Sequence, residues 1–258
     1  MKFVHIADVH LDIPFKTISD RAGLGIKRRL EQREALKNVI EFIKTNSIEY
    51  LFISGDLYEQ EYIRESTIRF LNDLFKEIPN TKIYISPGNH DPYIKNSYYM
   101  TYNWSDNVKI FTDSVEKVEN DDANIYGFGF NNFEMNENQI DNIRIEDKSK
   151  INILVVHGDI NESKYNPMKL EILKSKGFDY VALGHIHKRD DYNNIVYPGS
   201  LISLGFDELG MHGMMVGEII DKKVYKKFIP IDKREFIVRN IDVSNIQSEE
   251  ELVENINN

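Results

Sequence analysis

The chain contains no cysteine in its 258 residues. Disulfides and thiolate metal sites are thereby excluded, and a chain built without them suits a reducing compartment. No apolar run approaches the ~20 residues that a membrane span requires. The opening stretch Met1 to Ala7 reaches Asp8 before a signal-peptide core could form. The expectation is a cytoplasmic protein with no membrane association. Positive charge is also scarce, with 32 Lys and Arg against 42 Asp and Glu and a net charge of -10. Phosphate-binding proteins usually show the opposite balance, which counts against a nucleic-acid partner. The objection weakens if the carboxylates hold divalent cations, because positive charge then sits where a phosphate would bind. Local basic clusters at Lys27 to Arg29, Lys188 and Arg189, and Lys222 to Lys227 each read as ordinary solvated surface when taken alone.

What the chain does have is apolar material for a full core, 41% of its residues. Five short apolar runs have the length of buried strands: Phe3 to Ala7, Tyr50 to Ile53, Ile83 to Ile85, Ile151 to Val156 and Tyr180 to Leu183. Between the first two, Ile26, Leu30, Leu36, Val39, Ile40 and Ile43 recur at a helical period and predict one buried face. A second helix is expected from Glu65 to Glu77. Asn- and Asp-rich stretches at 119–124 and 131–142 read as loops around a short strand, Ile125 to Phe128. Beyond residue 190 the pattern turns to strands, Ile195 to Tyr197, Met214 to Ile220 and Val224 to Pro230, with Asp221 and Lys222 as a hairpin turn. Ser248 and Glu251 form a capping-box pattern for a last helix. Alternating strands and helices followed by strands predict an α/β fold with more than one sheet.

Each of the five runs ends in a polar cluster. The first ends "ADVH", with Asp8 and His10; the second "SGD", with Asp56; the third "SPGNHD", with Asn89, His90 and Asp91; the fourth "VVHGD", with His157; and the fifth "LGHIH", with His185 and His187. Ligands of α/β sheets bind at the carboxyl ends of the strands, so these regions are expected to converge. Five of the seven histidines lie in the clusters. Imidazole, carboxylate and amide oxygen without sulfur form a ligand set for Mn, Fe, Zn or Mg. If the segments are extended, Asp8 and His10 share one side, as do His185 and His187. Gly55, Gly88 and Gly184 permit close approach at the strand ends. Any single cluster is better explained as a cap, a turn or a hydrogen-bonded histidine, but all five in this arrangement point to a metal site. His5 and His212 lie outside the clusters and read as structural, and Asp159 as a turn residue or a neighbour of the ligands.

The series Asp8-x-His10, Gly55-Asp56, Gly88-Asn89-His90-Asp91, His157 and Gly184-His185-x-His187 resembles the signature of the calcineurin-like metallophosphoesterases. The resemblance implies two packed mixed β-sheets flanked by helices. It also implies two divalent ions, Mn2+ foremost: Asp8, His10 and His187 on one, Asn89, His157 and His185 on the other, and Asp56 bridging both. Such a pair clamps a phosphoryl oxygen and activates water for in-line displacement. His90 would donate a proton to the leaving oxygen, with Asp91 orienting its ring.

The stretches "MKFVHIADVHLDIPF", "KGFDYVALGHIHKRD" and "VYPGSLISLGF" are similar to the DNA-repair exonucleases of the SbcD and YhaO type, over about residues 1–235. That similarity implies a Mn-dependent exonuclease acting in the 3′ to 5′ direction. Its partners would be DNA, an SMC-like ATPase and a second copy of the chain. Residues 1–235 would form the nuclease domain and residues 236–258 the beginning of a capping domain. Where some repair members read "GDLFH", this chain reads "GDLYEQ", with Glu59 in place of the histidine. The alternatives are a phosphatase or small-molecule phosphodiesterase with the same metal clamp, and a binding scaffold that has lost catalysis.

Overall fold

The structure is a computed structural model that describes residues 1–15, 23–161, 164–244 and 246–257. Two mixed six-stranded sheets lie face to face. In the first, β1 (Lys2–Ile6), β2 (Tyr50–Ile53), β3 (Lys82–Ile85) and β4 (Val108–Ile110) run parallel. In the second, β5 (Glu116–Glu119) pairs antiparallel with β6 (Ala123–Gly127), which continues in parallel through β7 (Ile151–His157), β8 (Tyr180–Gly184) and β10 (Ile195–Tyr197), with β9 (Asp190–Tyr192) antiparallel at the edge. The hairpin β11 (Gly213–Ile220) and β12 (Lys223–Pro230) closes the first sheet beside β1. Its turn residues Asp221 and Lys222 both have positive φ, 47° and 63°, as a two-residue hairpin turn demands.

Each parallel strand is apolar on both faces because both are covered. Phe3, Phe52 and Tyr84 of the first sheet meet Ile125, Ile153, Val155 and Ala182 of the second. The other face, Val4, Ile6, Leu51, Ile53 and Ile83, packs under α1 (Leu24–Asn46) and α2 (Glu65–Lys76). The outer face of the second sheet, Leu154, Val156, Val181 and Leu183, is covered by Met168, Phe178 and Leu173 of α4 (Leu170–Lys176), which follows the single-turn α3 (Tyr98–Thr101) along the chain. The result is the expected helix–sheet–sheet–helix sandwich.

The predicted face of α1 holds only for its second half. Leu36, Val39, Ile40 and Ile43 are buried, whereas Ile26 and Leu30 are each 63% exposed. In their place Arg28 and Gln32 turn inward, each 1% exposed. Both terminal nitrogens of the Arg28 guanidinium are engaged, by the Asp232 carboxylate at 3.0 and 3.1 Å, Ser203 O at 2.5 Å and Glu31 at 2.7 Å. Gln32 Nε2 donates to the carbonyls of Val9 and His10. This half of the helix packs on polar loops, so its buried positions are polar. At the carboxyl end α5 (Glu249–Asn257) is capped as predicted, with Ser248 Oγ accepting from Glu251 N–H at 3.1 Å.

Candidate metal centre

The carboxyl ends of β1, β2, β3, β7 and β8 lie side by side across the two sheets and carry every residue of the five clusters. Among the described residues, three groups place one potential ligand atom each within 4.8 Å of the others: Asp8, His10 and His187; His10, Asp56 and His90; and Asp56, His157 and His185. Asp56 Oδ2 stands between the outer pair of groups, 3.6 Å from His10 Nε2 and 3.3 Å from His157 Nε2. Asn89 Oδ1 joins the third group, 3.0 Å from His157 Nε2 and 3.2 Å from His185 Nδ1.

The backbone at these positions is not extended. Asp8, His10, Asp56 and His185 have φ values of 50°, 49°, 52° and 104°, a region that costs a non-glycine residue about 1–3 kcal/mol. The surroundings hold them there. Asp8 N–H donates to Gly55 O at 3.1 Å and His10 N–H to Asp56 O at 2.8 Å, while the Asp8 carboxylate accepts the His185 N–H at 3.0 Å. Val9 still points away into the core, fully buried, so the two ligand candidates share a side through two left-handed residues and not through strand alternation. Close approach also depends on two glycines. A Cβ at Gly88 would strike the Asp56 carboxylate, and one at Gly184 would strike Ser54 O.

Hydrogen bonds fix the ring tautomers in a way that fits cations. His10 Nδ1 faces Glu59 Oε1 at 2.7 Å and His187 Nδ1 faces Glu208 Oε1 at 2.6 Å. An ionised carboxylate only accepts, so each Nδ1 carries the hydrogen. The two Nε2 lone pairs then face one another across 3.0 Å. His157 Nδ1–H likewise donates to Ser54 O at 2.8 Å, which aims its Nε2 lone pair at two oxygen acceptors. Such contacts repel unless a proton or a cation lies between them, and divalent ions suit this donor set. The field of the site agrees. Burial opposes charge on His157 and His187, yet the carboxylates of Asp56 and Glu208 respectively outweigh it and raise both to about 9. His185 is lowered to about 4, by burial and by the neighbouring His157.

The expectation that Asp91 orients the His90 ring is corrected by the structure. Asp91 is fully buried, and its oxygens accept from the backbone N–H groups of Asp56, Leu57 and Gly88 and from Tyr99 O–H. It fastens the 88–91 turn onto β2's end, with no oxygen left for the ring. The residue that holds His90 is Glu59, whose Oε2 lies 2.9 Å from His90 Nδ1 while its Oε1 holds His10. One carboxylate thus fixes a ligand candidate and the exposed histidine together. Burial opposes charge on His90, but the hydrogen bond to Glu59 raises it to about 9.

Sequence reasoning missed Glu208, Gln32 and Asn166, whose Nδ2 donates to His157 O at 2.7 Å. None follows an apolar run, and each acts through a tertiary contact that no spacing announces. His5 is structural as expected, its ring nitrogens facing Tyr180 O–H and Ser54 Oγ between the sheets. His212 contacts Ser200 Oγ, which donates to Glu208, so it stands behind the carboxylate that holds His187. Asp159 is a turn residue, accepting from Asn161 N–H at 2.8 Å.

This sandwich, with His, Asp and Asn converging at the adjoining sheet edges, defines a hydrolase of phosphoric esters that uses divalent metal ions. The chain matches the calcineurin-like phosphoesterases over residues 1–189 and belongs to that family. It is 27% identical over 245 residues to the metallophosphoesterase YhaO of Bacillus subtilis, covering 88% of this chain and 60% of YhaO. It is 28% identical to the SbcD component of the nuclease SbcCD from Staphylococcus epidermidis, covering 100% of this chain and 77% of that protein. It is 31% identical over 214 residues to the DNA double-strand break repair protein Mre11 of Methanocaldococcus jannaschii, covering 78% of this chain and 56% of Mre11. The chain therefore spans little more than half the length of two of these relatives. Among the described residues, no helix is long and apolar enough to cross a membrane.

Proposed function

We propose that this chain is a two-metal phosphodiesterase that degrades DNA from an end, with Mn2+ as the activating ion. Asp8, His10 and His187 are the proposed ligands of one ion, Asn89, His157 and His185 of the other, and Asp56 of both. The observation that carries the proposal is Asp56 Oδ2 set between two groups of imidazole nitrogens, with His90 on the open side. Ions held there supply Lewis-acid polarisation of the phosphoryl oxygen and a nucleophile at neutral pH. The protein's own residues handle the leaving group. His90 has a side chain 46% exposed and its Nδ1–H on Glu59, so Nε2–H is free to meet the leaving oxygen. The hydrogen bond to Glu59 favours the protonated ring, which gives up its proton as the P–O bond breaks.

DNA as substrate is supported by the SbcCD and Mre11 relatives, one named a nuclease and the other a DNA double-strand break repair protein. A 3′ to 5′ direction, an SMC-like ATPase partner, a homodimer, a cytoplasmic location and a capping domain begun by residues 236–258 belong to the same proposal. A second reading, a phosphatase or small-molecule phosphodiesterase, is favoured by the acidic residues Glu61 and Glu134 beside His90. End-labelled DNA incubated with Mn2+ separates the two. The proposal expects stepwise shortening of the strand; rapid hydrolysis of small nucleotide esters with intact DNA would favour the second reading.

A further inference from the structure

Beside His90 the surface opens into a cleft of about 540 Å3, within the ~300–1,000 Å3 of small-ligand sites. Asn89 and His90 form its inner wall, so the cleft is continuous with the proposed metal centre. Its outer walls are aromatic, from Tyr62, Phe133 and Tyr165. Phe133 and Tyr62 are 43% and 42% exposed, large rings left partly in water at the mouth of a site. They stand on fixed backbone. Met135 N–H donates to Lys164 O at 3.0 Å and Asn166 N–H to Met135 O at 2.6 Å, lacing the loop of Phe133 to that of Tyr165. Tyr62 N–H donates to Glu59 O at 3.0 Å, and the Tyr165 ring lies 4.9 Å from His185. Among the described lining residues the charged groups other than His90 are Glu59, which holds His10 and His90, Glu134, which pairs with Lys164, and Glu61; none is a Lys or Arg.

We infer that this cleft receives the unpaired nucleobase of the nucleotide whose phosphate is attacked, stacked against Phe133 and Tyr62. The inference rests on the phosphodiesterase reading above and names the part of the substrate held next to the scissile bond. With no Lys or Arg among these lining residues to hold a further backbone phosphate, a neutral occupant fits the cleft. Exposed aromatic faces take a flat π-system of any base identity. A base inside a duplex has no free face to offer, so the cleft selects frayed or single-stranded ends, or free nucleotide esters.

The test compares two esters with the same leaving group: thymidine 5′-(p-nitrophenyl phosphate), and its counterpart with a bare tetrahydrofuran ring in place of the thymine-bearing sugar. The wild type with Mn2+ should show a KM about tenfold lower for the thymidine ester, a modest stacking gain. In Phe133→Ala and Tyr62→Ala the ratio of the two KM values should fall towards one. Equal KM values in the wild type, or a ratio that both variants leave untouched, would overturn the inference. If neither ester is hydrolysed, it is the phosphodiesterase reading that fails. Calorimetric titration with thymidine monophosphate then decides the cleft: binding weakened in Phe133→Ala supports it, and no binding sinks it. Single-stranded and blunt duplex oligonucleotides distinguish polymer ends from free esters as the source of the base.

Discussion

Glu59 is the residue on which the proposed chemistry turns, because its two oxygens hold His10 on one side and His90 on the other. A carboxylate behind a ligating imidazole fixes its tautomer, and loss of such a partner costs about 10–100-fold in metal affinity or activity. Glu59→Gln should therefore lower kcat by about that factor. It should also change the pH profile. A general acid works only while protonated, so activity falls as pH rises through the pKa of His90, which the hydrogen bond to Glu59 raises. Without that charge the alkaline limb should move to lower pH, as a kcat–pH series would read; an unmoved limb would show that Glu59 does not act through His90. Elsewhere His5 supplies an acid-stability term. Burial lowers its pKa from 6.5 to about 3, so below pH 6.5 the unfolded chain binds a proton that the folded one refuses. Stability present above pH 6.5 should be lost as pH falls towards 3, by up to about 1.4 kcal/mol per unit. Thermal unfolding of His5→Gln between pH 7 and 5 should show a flatter slope than the wild type.

At the scale of elements, the strands were legible because burial on both faces writes an uninterrupted apolar run, and the ligand candidates because each run ends in polar residues. β4 and β5 were not, since their residues are half-buried or exposed and no run marks them. Helix α1 was half legible. Ile26 and Leu30 keep the helical period but face water, while Arg28 and Gln32 are buried by partners as far away in sequence as Asp232. Periodicity reports apolar burial only and is blind to a polar side chain satisfied by a distant loop. The same blindness hid the carboxylate Glu208 and assigned to Asp91 the work of Glu59. The difference can be measured on one helix. Ile26→Ser should change stability by no more than about 0.5 kcal/mol. Arg28→Met, which leaves Asp232 buried and unpaired, should cost about 3–5 kcal/mol. Urea unfolding midpoints would read both, and equal effects would contradict the burial pattern.

For the whole molecule, the proposed active centre exists only because two sheets bring their carboxyl edges together. The first sheet supplies Asp8, His10, Asp56, Asn89 and His90, and the second supplies His157, His185 and His187. Neither sheet alone brings His10 Nε2 against His187 Nε2, the facing nitrogen pair that favours a cation, and Asp56 reaches from one half to the other. The ions and the proton donor are proposed to be separable parts of one phosphodiesterase. The most direct measurement is elemental analysis of purified, Mn-loaded protein together with its rate on labelled DNA, for the wild type, Asn89→Ala and His90→Ala. Two metal ions are expected in the wild type, fewer in Asn89→Ala, and two in His90→Ala with cleavage slowed about 100-fold or more. A wild type that retains no metal, or a His90→Ala variant that loses metal as Asn89→Ala does, would contradict the proposal.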